Sequence, residues 1–138
     1  MTRNYGPFSA LSPLLMLAAI AGRPAAAQFL PDLTITEIDI SPDNPAVGEA
    51  ITVTVTARND GTATPNEETW VLVWYNSPTP PSDCETADAW EPLVVAFPPG
   101  EERFFTFEEV VYSEPGWYRF CAWINCDGII EESNTSNN

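Results

Sequence analysis

The sequence predicts an all-β protein, built as a sandwich of antiparallel strands in two sheets. From Pro31 onward, several short segments alternate apolar and polar residues with a period of two, the spacing of a half-buried strand. Proline clusters between these segments and not inside them, where its missing N–H would break a ladder of hydrogen bonds. No apolar stripe of helical period accompanies them. Short strands separated by turn signals are typical of a β-sandwich.

The first two predicted strands differ in regularity. Along the first strand the apolar residues change parity, from Leu33 and Ile35 to Ile38 and Ile40. This phase change predicts a β-bulge or a strand that switches sheets. The second strand, residues 51–57, alternates β-branched apolar residues with threonine. It ends at Asn59-Asp60-Gly61, because Asn and Asp side chains bond their own turn and glycine tolerates positive φ.

Three further strands follow the same rules. Their apolar positions are Val71, Val73 and Tyr75; then Phe105 and Phe107; then Tyr118, Phe120, Ala122 and Ile124. The last two strands are entered through proline–glycine turns at residues 98–100 and 115–116.

Residues 1–27 are predicted to be a signal peptide. An apolar run, residues 14–21, is followed by Ala25 and Ala27 at the small-residue positions of a cleavage site. The run is shorter than the roughly 20 residues that cross a bilayer. An N-terminal helix of the folded domain is the alternative interpretation. Residues 28–138 then form a single domain, of the size of an immunoglobulin-like sandwich (about 100 residues). We expect a secreted, periplasmic or cell-surface protein.

The composition argues against catalysis. The chain has no His, and its five basic residues are all Arg, which removes the usual general base, the commonest metal ligand and Schiff-base chemistry. Paired carboxylates such as Glu108-Glu109 lie on a strand, where neighbours point to opposite faces and cannot flank one bond. The net charge of −15 disfavours nucleic acid and anionic membranes as partners. We predict no enzyme, no nucleic-acid binding and no membrane insertion.

Several short motifs together resemble the bacterial and archaeal CARDB family. They are Pro31-Asp32-Leu33, Val47-Gly48-Glu49, Asn59-Asp60-Gly61, Pro99-Gly100, Gly116-Trp117-Tyr118 and the closing residues 132–138. The family is named for presumed roles related to cell adhesion. The resemblance implies an immunoglobulin-like β-sandwich of about seven strands, and a non-catalytic adhesion, spacer or protein-interaction module of an exported protein. Its partners would be other extracellular or surface proteins. The alternative is a small carbohydrate- or calcium-binding module.

A calcium site is an alternative at the last hairpin. Hard oxygen ligands are offered there by Asp127, Glu131, Glu132 and Asn134. A polar turn before a closing strand explains the same residues. The CARDB family commonly has Asp at position 125 and Glu near position 135, where this chain has Asn125 and Thr135, which weakens the case for a cation there. Apart from this calcium alternative, no cofactor is predicted.

Three cysteines in an exported chain predict one disulfide and one free thiol. Cys121 and Cys126 are five residues apart on one predicted strand, about 16 Å at 3.3 Å per residue, and are too far apart to pair without a turn. The segment that carries Cys84 is expected to emerge near Trp117. We therefore predict a Cys84–Cys121 disulfide, with Cys126 free or bonded to another molecule.

The strand at residues 70–75 predicts an apolar outer face. If Val71, Val73 and Tyr75 point into the core, the residues between them and their counterparts on the paired strand point outward: Trp70, Leu72, Trp74, Cys121 and Trp123. Such a face predicts a sugar-stacking platform or a docking surface. The alternative is that the segment Ser77–Pro92 folds over it, with Trp90 packed on the face and the disulfide holding the segment there.

Overall fold

The computed structural model describes residues 28–77, 79, 81–94 and 96–138, so the predicted signal peptide lies outside the described residues. This part of the chain contains two antiparallel three-stranded sheets and no helix long and apolar enough to cross a membrane. One sheet has the order β1-β2-β5, formed by Leu33–Ser41, Ala50–Asn59 and Glu102–Val111. The other has the order β4-β3-β6, formed by Ala89–Leu93, Thr69–Trp74 and Cys121–Ile124. The predicted all-β sandwich is confirmed.

The core lies between the two sheets and follows the predicted alternation. In β2, Val53 and Val55 have no exposed surface, while Thr54 between them is partly exposed on the outer side. From the facing sheet, Val71 and Val73 of β3 are equally buried, and Ile124 of β6 packs with them. The inward assignment of the valines of β3 is therefore correct.

The irregular first strand contains the predicted bulge. The register of β1 against β2 shifts between Ile35 and Glu37, while β1 stays in one sheet along its length. The shift lets Leu33 and Ile35 on one side of the bulge, and Ile38 on the other, pack against the core despite their opposite parity.

Where a seventh strand was expected, residues 125–138 form no strand. Ser133 N of this segment donates to Pro31 O (2.9 Å), two residues before β1, and the contacts with β1 are made by side chains. The Glu132 carboxylate accepts the N–H of Leu33, and Asn137 Nδ2 donates to Asp32 and Thr34 (both 2.9 Å). Side-chain bonds replace the ladder because this segment is rich in Asn and Ser, which bond locally in place of pairing as a strand.

The turn after β2 is built around a buried amide. Asn59 has no exposed surface, and its Oδ1 accepts the N–H of Gly61 (3.0 Å), the turn bond expected from the sequence. The next residues lie against the chain that leads into β1: Asp60 N donates to Asp32 O (2.7 Å) and Thr62 N to Leu30 O (2.9 Å). Gly61 is needed because a Cβ there would lie 2.4 Å from Asp32 N and 2.5 Å from Leu30 O.

Replacing Gly61 with Ala should therefore lower the free energy of unfolding by about 2–3 kcal/mol, since backbone atoms must move to admit the methyl group. Chemical denaturation of the purified domain measures the loss. The control is Gly116→Ala, where a Cβ would meet nothing closer than the Tyr118 ring at 3.7 Å. Equal stability of the two variants would contradict the close approach at Gly61.

Candidate functional site: the outer face of the β4-β3-β6 sheet

The outer face of this sheet carries aromatic residues from all three strands. Strand register places Leu72 between Trp90 of β4 and Trp123 of β6, and Trp74 beside Cys121. On β3, Trp70, Leu72 and Trp74 alternate with the buried valines and so lie on the side away from the core. Their cross-strand neighbours on β4 and β6 lie on the same side. Their exposure differs: Trp70 is 43% and Trp90 60% exposed, whereas Trp74 is 5% exposed and Trp123 is half-buried.

The segment before β4 covers one end of this face. Trp74 Nε1 donates to Thr86 Oγ1 (3.2 Å), and Asp88 bonds both Tyr75 N (2.8 Å, through Oδ2) and Val73 O (2.9 Å, through its own N–H). The predicted covering of the face is therefore correct at Trp74. It is wrong at Trp90, which belongs to β4 and leaves most of its ring in solvent.

The disulfide joins Cys84 to Cys126, with Cα atoms 5.8 Å apart, so the predicted Cys84–Cys121 pair is wrong. Cys121 is the free, half-buried thiol. The error came from treating residues 121–126 as one straight strand and from placing the segment of Cys84 beside Trp117.

The physical reason for the actual pairing is a turn. Strand β6 ends at Ile124, and the chain then reverses with positive φ at Asn125 (52°) and Gly128 (66°), closed by a bond from Gly128 N to Asn125 O (2.9 Å). Asn and Gly are the residues that adopt this conformation most readily. The turn brings Cys126 next to Cys84, at the end of the face that carries Trp70.

A groove of about 260 Å³ remains open between the exposed tryptophans. Trp70 and Trp90 line it with Leu72, which is 8% exposed, while Cys84 and Asp127 contribute to its lining from the disulfide side. Asp127 Oδ1 is held by Thr69 Oγ1 (3.2 Å). We call this site the Trp groove. It combines two large aromatic surfaces, an apolar residue between them and a carboxylate, on a segment cross-linked by the disulfide.

The acidic residues predicted as weak calcium ligands do not gather into one group in the described part of the chain. Within the described residues, no group of three or more carboxylates, thiols or imidazoles is close enough to hold a metal, and the three acidic candidates are therefore not clustered: Asp127, Glu131 and Glu132. Asn134 uses its Oδ1 locally, accepting from Ser136 N (3.1 Å).

Glu132 has a structural role instead. It is 8% exposed, and its Oε2 accepts the N–H of Leu33. Its Oε1 accepts N–H groups from Asn125 (2.6 Å) and Asn138 (2.7 Å). Three N–H donors thus satisfy a buried carboxylate, which needs such partners when it is removed from water.

Comparison with known proteins agrees with this fold. The family model CARDB matches residues 30–138. No curated protein matches the sequence significantly. Among solved structures, the chain is similar to the CARDB domain of the PF1109 protein of Pyrococcus furiosus, crystallised in complex with di-metal ions, with 26% sequence identity and a TM-score of 0.62. The match covers 82% of this chain and 90% of that one. The chain belongs to the CARDB family.

Proposed function

We propose that this protein is an exported, non-catalytic adhesion and interaction module that contacts other extracellular or surface proteins through the Trp groove. Membership of the CARDB family supports an interaction module in general. The observation that carries the choice of surface is the exposure of Trp70 and Trp90, at 43% and 60%, around a shared groove. Exposed apolar patches of this kind mark contact sites, and tryptophan is the residue type most enriched among binding hot spots.

The surroundings of the groove suit a preformed contact surface. The Cys84–Cys126 bond holds the neighbouring segment against the sheet, so little conformational entropy would be lost on binding. The disulfide also supports an oxidising, extracellular compartment. A net charge of −15 disfavours nucleic acid and anionic lipid as occupants.

Photo-crosslinking in intact producing cells tests this surface. With benzoylphenylalanine in place of Trp90, we expect discrete adducts with exported or surface proteins, identified by mass spectrometry. Adding Trp70→Ala should abolish them, because that substitution removes the other wall of the groove. The control position is Phe104, which is 68% exposed on the other sheet. No adduct at position 90, or equal adducts at position 104, would exclude the Trp groove as the contact surface.

A carbohydrate is the second candidate occupant. The Trp groove offers ring faces on which the C–H side of a sugar stacks, and the Asp127 carboxylate nearby accepts hydroxyl hydrogen bonds. A glycan array separates this function from protein binding. Binding that is lost in the Trp70→Ala/Trp90→Ala double variant would assign the groove to glycan.

The related Pyrococcus furiosus domain was crystallised with di-metal ions, but the described residues of this chain contain no group of three or more acidic, thiol or imidazole side chains that could hold a metal. The acidic candidates of the last turn are not grouped, and both oxygens of Glu132 already accept N–H groups from neighbours. We therefore include no metal in the proposed function.

A further inference from the structure

A cavity lies at the end of the sandwich near the start of β2. Its volume is about 470 Å³, within the range of roughly 300–1,000 Å³ typical of ligand sites. Two segments form it, the turn at residues 42–49 and the stretch at residues 112–118. A hydrogen bond from Gly48 N to Tyr112 O (2.9 Å) ties these segments together. We call this site the end cavity.

Aromatic rings held in fixed positions line the end cavity. Tyr112 and Tyr118 stack with their centroids 3.6 Å apart, and Phe120 meets Tyr112 edge to face at 6.3 Å. The Tyr112 hydroxyl donates to the carbonyl of Tyr75. Burial, and then the neighbouring Tyr118, raise the pKa of Tyr112 to about 12. The Tyr112 ring therefore stays uncharged at neutral pH.

Tyr118 and Trp117 complete the aromatic lining of the end cavity. The Tyr118 hydroxyl donates to the backbone carbonyl of Glu114 (2.6 Å), which orients the ring. Trp117 also lines the cavity and is fully exposed, at 103% of its reference surface. The Trp117 indole is therefore accessible to an incoming ligand.

The charged side chains that line the end cavity are all acidic. Among the described residues, three carboxylates belong to the lining, from Asp43, Glu49 and Glu114, and no arginine does. Glu49 Oε2 accepts the N–H of Ala46 (2.8 Å) and so also holds the turn. In the described part of the chain, the Asp43 and Glu114 carboxylates take part in no hydrogen bond or ion pair.

The three arginines in the described part of the chain are not among the lining residues of this cavity. Arg58 is paired with Asp60 (2.5 Å) and Arg103 with Glu101 (2.7 Å), both at the opposite end of β2. Arg119 follows Tyr118 in sequence but does not line the cavity. The end cavity is thus an aromatic site whose negative charge is not neutralised from within its own lining.

We propose that the end cavity binds an arginine side chain of a partner protein. A guanidinium group is planar and weakly hydrated, stacks on aromatic faces and donates in pairs to carboxylates, which are the two chemistries present here. A neutral sugar would leave the three carboxylates without a counter-charge. This site is separate from the Trp groove, and the two are tested with different variants.

The test is an NMR titration of the oxidised domain with Nα-acetyl-arginine amide. We expect saturable shifts of the Trp117 indole signal, with a dissociation constant on the order of millimolar for so small a probe. The uncharged isostere Nα-acetyl-citrulline amide should bind at least about tenfold more weakly, because it retains the shape and loses the charge.

Variants assign the binding to this cavity. Trp117→Ala should weaken arginine binding about 2–5-fold, and Asp43→Asn/Glu114→Gln about 3–10-fold, with unchanged melting temperatures because these side chains are exposed. Glu49 is left intact because it holds the turn. Trp90→Ala is the matched control and should leave the affinity unchanged.

Each contrary outcome is decisive. Equal binding of the citrulline probe would show that charge plays no part and overturn the proposal. An equal loss in Trp90→Ala would place the binding outside the end cavity. Shifts of Trp117 with neutral monosaccharides but not with the arginine probe would replace the proposal with a glycan site.

Discussion

Replacing Asn59 with Asp is expected to lower the free energy of unfolding by about 3–5 kcal/mol at pH 7. The buried Asn59 side chain makes four hydrogen bonds. Its Oδ1 accepts from Asp32 N (3.1 Å) and Gly61 N (3.0 Å), and its Nδ2 donates to Ala63 O (2.9 Å) and Phe97 O (2.7 Å). The Asp side chain keeps the oxygen that accepts two N–H groups. Its second oxygen, which carries charge at pH 7, replaces the Asn amide nitrogen and faces the carbonyls of Ala63 and Phe97.

The loss should depend on pH in a defined direction. Burial raises the pKa of the introduced carboxyl in the folded state above its unfolded value of about 3.9. The difference from wild type should therefore grow as pH rises above about 4 and shrink below it, where a protonated Asp can donate one hydrogen bond. Urea denaturation of both proteins at pH 4 and pH 7 measures this.

The control for this substitution is Asn134→Asp. Asn134 is exposed and bonds only Ser136 among the described residues, so its replacement should change the stability by less than about 0.5 kcal/mol. If Asn59→Asp is equally mild, the four hydrogen bonds of the Asn59 amide contribute little to stability.

Removing the disulfide with Cys84→Ser/Cys126→Ser should cost about 3–4 kcal/mol, the chain-entropy value for a cross-link that spans 42 residues. It should also release the segment that covers Trp74, raising the accessibility of this tryptophan to acrylamide. Guanidinium unfolding and fluorescence quenching of the oxidised proteins measure the two effects.

Cys121→Ser provides the matched control, because it removes a thiol that forms no bond and should leave stability nearly unchanged. The reverse result, a large loss for Cys121→Ser and none for Cys126→Ser, would support the Cys84–Cys121 pairing. Peptide mapping without reduction should show Cys84 joined to Cys126 and alkylation at Cys121 alone.

The strand pattern was predictable wherever burial imposed a period of two. Residues 51–57 and the valines of β3 follow the sequence alternation, and the parity change in β1 marked a real bulge. These features depend on local alternation against one core, which a single sequence displays.

The Trp groove was less predictable because it depends on a backbone reversal. Residues 125–128 turn back through positive φ, which moved Cys126 to Cys84 and ended β6 at Ile124. The end cavity was missed because its walls, the turn at 42–49 and the stretch at 112–118, are far apart in sequence and meet through Gly48 and Tyr112. Neither segment contains a sequence motif that indicates a pocket.

The carboxylate of Glu132 also sets the order in which the domain can be completed. It binds the backbone of Leu33, a residue that precedes it by 99 positions. At a synthesis rate of about 5–20 residues per second, roughly 5–20 s pass between the synthesis of Leu33 and that of Glu132. Until then, the emerging chain cannot close its first strand against its last segment. A domain whose closing segment secures its first strand can therefore pass unfolded through a narrow pore until that segment has been synthesised.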